Sequence, residues 1–497
     1  MDRSVAQGRP ADPEAEPARA AAKARLDPRL ALVTAVVLAL AALAIYLVTR
    51  IDRYYDHFVW QAAAFLEGHA AIRYPVPGNG VLPGNAFFQD ILPVATTDGV
   101  ARGLLPFPPL PAVLLVPFVA IWGLATDDRL LFTVLAAADV ALCWWALGRL
   151  PVGPVGRLAT TIFFAFGTVF WFSAQVATAW YQAHIAAVGL TFLAIGIAIG
   201  ADRAAVGDAL GEGASADAKG AHTAPSATRR RPPAIERRQF AAGLLLGLAA
   251  TARVPVLFGL PFLAFVGGGD GWRGRAWSAG LGAAIPVGAL LAFTLLTTGQ
   301  FISPAYDYLY RLEAAGYGAL GYHADWAIED PRYLVQNAGI GLFGLPDVLP
   351  TQLPDALGIN PTPVCVQPGA VRGLFDIDCP LAVPRDTGMS VLLTSPAYLL
   401  AIPVLTAIRR SRLVAGGAIA VVAILAVDLM HFSQGWVQFG YRFSLDFVPF
   451  ALVLMALGLE WLVRRWPGRS VAVAGTLVAV SIAVNFWGVY WASVYGW

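Results

Sequence analysis

The chain is 497 residues long, 58% hydrophobic and 13% charged, with a mean hydropathy of +0.63. That balance excludes an ordinary soluble globular protein and indicates a multispan membrane protein. The formal net charge of +2 says nothing about partners, so the positions of the arginines carry the argument.

Residues 1–28 are rich in Ala, Pro, Glu and Arg, lack apolar periodicity, and read as a disordered cytoplasmic tail. Arg25 and Arg29 precede an apolar run at 30–48. The positive-inside rule therefore keeps the N-terminus in the cytoplasm and puts the next loop, 50–128, outside. Runs of roughly 18–22 apolar residues suffice to cross a ~30 Å hydrocarbon core. The run 105–124 is apolar too, but Pro106, Pro108, Pro109, Pro111 and Pro117 fall in it. Each proline removes a helix hydrogen bond, which is costly in lipid, so this run reads as interfacial or re-entrant. Asp127 and Asp128 then stay outside, and 130–147 is the second span.

Residues 158–174 lead outward, 175–184 form a short outer connection, and 185–200 return. Residues 201–239 read as a disordered cytoplasmic linker. Its basic end (Arg229, Arg230, Arg231, Arg237 and Arg238) reads as a topology signal or a contact with anionic headgroups, not a nucleic-acid site. Residues 240–252 and 254–266 make a short hairpin with Arg253 at its outer tip. A span at 277–297 leads to the largest outer loop, 298–387. Spans follow at 389–408, 413–430, 447–463 and 471–489, and an aromatic run at 487–497 suits an interface belt. The expectation is an all-α polytopic membrane protein of about eleven spans. It divides into an N-terminal membrane module (29–297), the large outer loop and a C-terminal helical part (388–497). No tandem or inverted repeat is evident.

Cys143 lies in an apolar run and reads as a small core residue. Cys365 and Cys379 share one polar loop, where they either close a ring under oxidising conditions or stay as two free thiols. There is no Walker loop, dinucleotide glycine fingerprint or zinc-protease histidine pair, and the histidines are too scattered for a metal cluster. No cofactor is expected.

Asp52 and Asp56 stand four apart just past the first span, and on a helix they would share one face. A sugar transferase needs a carboxylate to take the proton from an attacking hydroxyl, and partial burial strengthens such a base. The same pair also reads as solvated charges at a helix end, paired with Arg50 or Arg53. Asp446 is expected to pair with Arg442 across one helical turn. Asp139 and Asp428 lie inside spans, where acids serve either function or a structural hydrogen bond.

Asp52, the run 58–68, Pro108-Pro109-Leu110 and the Gly-rich span 243–253 together resemble the GT-C superfamily of integral-membrane glycosyltransferases. That superfamily includes protein O-mannosyltransferases and aminoarabinose transferases. Gln89-Asp90, 106–112, 180–184 and 438–447 resemble motifs of its bacterial members, with Gln89 where a histidine is expected. The resemblance spans most of 45–460. It implies a hexosyl or pentosyl transferase using a polyprenyl-phosphate-linked sugar, an acceptor in the cell envelope and an active site at the outer face of the plasma membrane. Nucleic acid has no part in it.

Asp52 would be the base, with Asp56 and Asp90 as rivals. Arg253, Arg442 and His184 would hold the donor phosphate, because a guanidinium fork suits phosphate oxygens. On the residues alone, Arg253 and Arg442 also read as snorkelling side chains, and His184 as a turn histidine bonded to backbone. Tyr306, Asp307, Arg311 and Tyr441 would line the acceptor groove. A lipid or polysaccharide transporter without transferase activity is the alternative, and a scaffold binding an envelope partner is a third reading.

Overall fold

The computed structural model describes residues 27–51, 55–73, 91–94, 99–208, 235–316, 322–323, 325–353, 361–435 and 437–497. The expectations for Asp52, for Asp90, for residues 1–26 and for 209–234 lie outside the described residues, whereas the described ends of the expected disordered linker 201–239 are largely helical, with a short helix at Arg203–Asp208 and the next helix starting at Arg237.

The first helix, α1 (Pro28–Val48), starts where Asp27 accepts the Arg29 N–H and Pro28 occupies the first helical position. The outer loop then holds α2 (His57–Leu66), strands β1 (Ile72–Arg73), β2 (Leu92–Val94) and β3 (Arg102–Leu104), and α3 (Leu110–Trp122). The strands form a small antiparallel sheet in the order β1-β3-β2. An all-helical expectation had no place for it, but a Gly/Pro-rich loop satisfies its backbone by such pairing.

Helix α4 (Asp128–Leu147) is followed by α5 (Pro154–Phe166) and α6 (Phe170–Val176), a pair bent by 44°. Then come α7 (Ala179–Ala201) and α8 (Arg237–Ala250). The chain returns from α8 through a 3-10 turn, Val254–Gly259, and α9 (Leu260–Phe265) to α10 (Gly271–Thr298). The large loop carries α11 (Pro304–Gly316), α12 (Tyr333–Phe343) and two short antiparallel strand pairs. Residues 396–407 run as 3-10 turns, Pro396–Ala401 and Pro403–Ala407, each opened by a proline. Three long helices close the chain: α13 (Arg412–Met430), α14 (Ser444–Arg465) and α15 (Pro467–Tyr495).

Among the described residues, seven helices are long and apolar enough to cross a membrane, or up to eight if the bent pair is one span. The protein is thus a helical, multi-pass membrane protein. Residues 254–265 and 396–407 are shorter apolar helices. Prolines set both: they turn the backbone to 3-10 geometry, which rises about 2.0 Å per residue and reaches further for its length.

Long-range hydrogen bonds define two ends of the bundle. At one, Glu460 accepts the Gly153 N–H (2.9 Å), Arg412 binds Asp202 (3.2 Å) and Trp144 donates to the Ala31 carbonyl. At the other, Arg50 binds Asp127, the Ile51 N–H reaches the Gln175 carbonyl and Gln175 donates to the Val489 carbonyl. We call these the arginine-rich end and the loop end.

Helix α3 begins and finishes at the loop end. The Leu110 N–H donates to the Thr251 carbonyl at the hairpin tip, and the chain beyond Ala125 reaches Asp127, bound to Arg50. Its 13 residues span about 20 Å. It does not cross the bundle, in keeping with its prolines. The hairpin also forms as expected. Gln239, at the start of α8, donates to the Leu263 and Val266 carbonyls, so the return leg runs back beside the helix.

Close helix packing explains the glycines of α8. A Cβ at Gly243 would stand 2.0 Å from the Ala279 carbonyl oxygen, and one at Gly282 would stand 2.1 Å from that of Phe240. Small residues on both helices let the backbones touch, which is how helices associate where lipid removes the hydrophobic drive.

Candidate functional site

The first turns of α7 organise the loop end. Four residues there reach four different elements. Trp180 packs its ring against Tyr55 (centroids 4.7 Å), Tyr181 donates to the Val437 carbonyl (3.0 Å), Gln182 donates to Asp128 (2.7 Å), and His184 meets Asp446 (3.0 Å). Two polar clusters flank this hub.

The first cluster contains Asp56, Asp127 and Asp128. Asp127 caps α4 by accepting the Leu130 N–H (2.9 Å) and holds Arg50 Nη2 through both oxygens (3.1 and 2.9 Å). Burial pushes its carboxyl up, but the Leu130 N–H and the Arg50 guanidinium outweigh that and leave it below the usual range. Asp128 is buried against Gln182. Asp56 differs from both. It stands at the cap position of α2 without capping it, and its half-buried carboxylate makes no hydrogen bond among the described residues. Burial raises its pKa above the ordinary carboxylate value and Asp127 adds to the rise, while Arg129 and His57 oppose it.

Aromatic rings wall this cluster. His57 lies against Trp60 (5.3 Å), Trp180 (5.7 Å) and Phe107 (6.2 Å), and Phe107 meets Trp180 edge-on (6.4 Å). Such rings offer apolar faces, and where they are indole or imidazole also a polar edge.

The second cluster centres on Asp446, in the first turn of α14. Its carboxylate accepts from Arg253 Nε (3.1 and 3.2 Å) and Nη2 (2.6 Å), and lies 3.0 Å from His184 Nδ1. Arg253 Nη1 makes no hydrogen bond among the described residues, and the guanidinium sits 4.9 Å from the Phe443 ring centre. Asp428 of α13 is buried and interacts electrostatically with Asp446 and Arg253. Its Oδ2, the Tyr441 hydroxyl, His184 Nε2 and Arg442 Nε are all buried without a hydrogen-bond partner among the described residues. Nearby, the Tyr306 hydroxyl lies 2.9 Å from His431 Nε2, and His431 Nδ1 lies 2.7 Å from Glu329.

Several expectations need correction. Asp446 pairs with Arg253 and His184, not with Arg442. Helix α14 starts at Ser444, so Arg442 lies before it and is not one helical turn from Asp446. Arg442 instead points its guanidinium at Tyr181 (5.5 Å) and Phe443 (5.4 Å). Arg253 does not snorkel, and His184 bonds a carboxylate instead of turn backbone. Asp307 and Arg311 pair with each other on exposed helix surface (2.7 Å), apart from the cluster. Tyr441 is fully buried against Gly341 and faces no open groove. Tyr306 joins the second cluster through His431. Asp139 makes no side-chain hydrogen bond among the described residues: both oxygens are buried without a partner there, beside Gly189, whose missing side chain leaves them room.

Cys365 and Cys379 form a disulfide, and Cys143 is a buried free thiol. Among the described residues no three His, Cys, Asp or Glu side chains are grouped to hold a metal ion. Sequence reasoning passed over Gln182, Glu329 and His431 as site residues. The first sits in the Trp-Tyr-Gln-Ala-His run already singled out, whereas the other two gave no local signal.

The chain matches no protein-family model, no curated protein and no solved structure in these three comparisons.

Proposed function

We propose that the protein is a glycosyltransferase that moves a sugar from a polyprenyl-phosphate donor to a cell-envelope acceptor. In this reading the bundle crosses the plasma membrane eleven times. The count takes the seven long helices, the bent pair, α8, the return leg 254–265 and the 3-10 segment 396–407, and leaves out α3. The arginine-rich end faces the cytoplasm, as the positive-inside rule requires, and the loop end faces outward.

The observation that carries the reading is Asp56. It is a half-buried carboxylate, bonded to nothing among the described residues, with its pKa raised, beside an aromatic wall. Asp127 and Asp446 are committed to donors, and Asp139, which also lacks one among the described residues, lies well inside α4. One left without donors at a helix start suits a general base. In the proposed step the carboxylate takes the proton of the acceptor hydroxyl. The acceptor oxygen bonds to the anomeric carbon, and the bond from that carbon to the phosphate oxygen breaks. The electron pair leaves with the polyprenyl phosphate, and the anomeric centre inverts.

Arg253 Nη1 and Arg442 Nε, both uncommitted, are the donors suited to the leaving phosphate. Asp446 fixes the plane of Arg253. The aromatic wall offers ring faces for the sugar. A transporter calls for a polar route through the bundle, whereas these clusters collect at one end. The test is transfer of a labelled sugar from polyprenyl phosphate by purified protein in lipid nanodiscs. Loss of transfer in Asp56→Asn, with folding retained, supports the reading. No turnover of any polyprenyl-phosphate hexose or pentose by the intact protein would sink it.

A further inference from the structure

The disulfide-closed loop 365–379 has the surface of an element that touches lipid. Val366 is 74% exposed and Val371 84%, and Leu374, Phe375 and Ile377 are exposed as well. The loop's carboxylates, Asp376 and Asp378, are exposed beside them, as a headgroup-level loop allows. Here Arg372 turns inward, its Nη1 donating to the carbonyls of Pro350 (3.0 Å) and Pro380 (2.7 Å). Asp376 is occupied in capping its own turn, accepting the N–H groups of Asp378 (2.9 Å) and Cys379 (3.1 Å).

The loop is fastened to the end of a membrane-spanning helix. The Tyr490 hydroxyl of α15 donates to the Phe375 carbonyl (2.7 Å), and the Trp491 indole donates to that of Leu374 (3.0 Å). The Phe375 ring packs against Tyr490 (5.1 Å) and Phe486 (5.9 Å). Phe486 is itself exposed, as are Val471, Val473 and Val480 along the same span. The apolar surface of the loop therefore continues the outward surface of α15. It does so beside Tyr490, a partly exposed aromatic of the kind that settles where a helix meets the headgroups, while Trp491 is buried behind it.

We propose that loop 365–379 lies in the headgroup–acyl boundary of the bilayer, with its apolar side chains against lipid. Three constraints hold it there: the disulfide and the two hydrogen bonds from Tyr490 and Trp491. The occupant of this surface is lipid, by continuity with the lipid-facing helix. The proposal rests on the membrane-spanning fold and does not depend on the transferase reading.

Photo-crosslinking in lipid nanodiscs tests it. The photoreactive residue p-benzoylphenylalanine is placed at Val371, at Ile377 and, as a control, at exposed Asp325. Phospholipid adducts at 371 and 377 several-fold above the control, falling when the disulfide is reduced, are expected. Adducts no more frequent than at 325, or adducts to a second copy of the chain instead of lipid, overturn the proposal. Hydroxyl-radical footprinting of the unsubstituted protein gives a second reading that needs no variant. Phe375 and Leu374 should resist oxidation in nanodiscs, and full oxidation there counts against lipid contact.

Discussion

Arg253 Nη2 lies 2.6 Å from Asp446 Oδ2, although 193 residues separate the two in sequence. The bond joins the tip of the short hairpin to the first turn of α14, and His184 completes it from α7. Three elements thus share one carboxylate. That geometry makes Asp446 the residue on which the position of Arg253 depends.

Asp446→Ala should therefore destabilise the protein strongly. Removing one member of a buried ion pair leaves the other charge uncompensated, at a cost of about 3–5 kcal/mol. Arg253 keeps some solvent contact, so the lower end of that range applies. Thermal unfolding in nanodiscs reads the effect, and the double variant Arg253→Met with Asp446→Leu should regain part of the loss. An unchanged melting temperature in Asp446→Ala would contradict the buried pair.

Two glycines of α10 make a controlled comparison. A Cβ at Gly282 would meet backbone atoms of α8, the nearest at 2.1 Å, whereas one at Gly280 meets nothing within 4 Å. Gly282→Ala should lose about 1–3 kcal/mol through overpacking. Gly280→Ala should be neutral, or gain up to about 1 kcal/mol in helix propensity. Equal melting temperatures for the two variants would mean that α8 and α10 do not touch as described.

Asp56 gives a pH dependence of defined sign. Its folded-state pKa is raised, chiefly by burial. The folded protein therefore holds this proton more tightly than the unfolded chain does. The resulting stability is fully present below the ordinary carboxylate pKa of about 3.9 and is lost as pH rises through the raised value. Asp56→Asn should flatten the melting-temperature profile in that window. Transfer by the intact protein should rise with pH over the same window, as the base loses its proton. Parallel stability profiles for the two proteins would remove the argument that Asp56 is perturbed.

The disulfide closes a loop with a sequence separation of 14 residues. In the chain-entropy account such a loop contributes about 3 kcal/mol. Reduction should expose 365–379 to protease while the membrane helices stay protected, as seen by mapping the fragments. Protease resistance that survives reduction would show that Tyr490 and Trp491 alone hold the loop.

Much of this fold was legible in the sequence because a membrane imposes local rules. Apolar runs marked the long helices, arginines marked one end of the bundle, and prolines marked 105–124 as a segment that does not cross. The hairpin was legible from its length and from Arg253 at its tip. What escaped depends on side chains distant in sequence. No spacing rule links His184 or Arg253 to Asp446, and the expected partner, Arg442, failed because α14 begins two residues after it. The same holds for Gln182 and Asp128: the sequence displayed both, but only the packing of α7 against α4 joins them. The bend near Gly167 and the 3-10 turns at 396–407 went unread because an apolar run looks the same whether its helix is straight or broken.

The most direct test of the transferase account is a transfer assay with labelled polyprenyl-phosphate sugars and the purified protein in nanodiscs, run on the intact chain and on Asp52→Asn, Asp56→Asn and Asp90→Asn at matched folded amounts. The account predicts turnover by the intact protein and a drop of about 100-fold or more in Asp56→Asn, the scale of a lost general base. Turnover that survives in Asp56→Asn and vanishes in Asp52→Asn would move the base to the first aspartate of the loop. Undiminished turnover in all three variants, or none by the intact protein, would contradict the account.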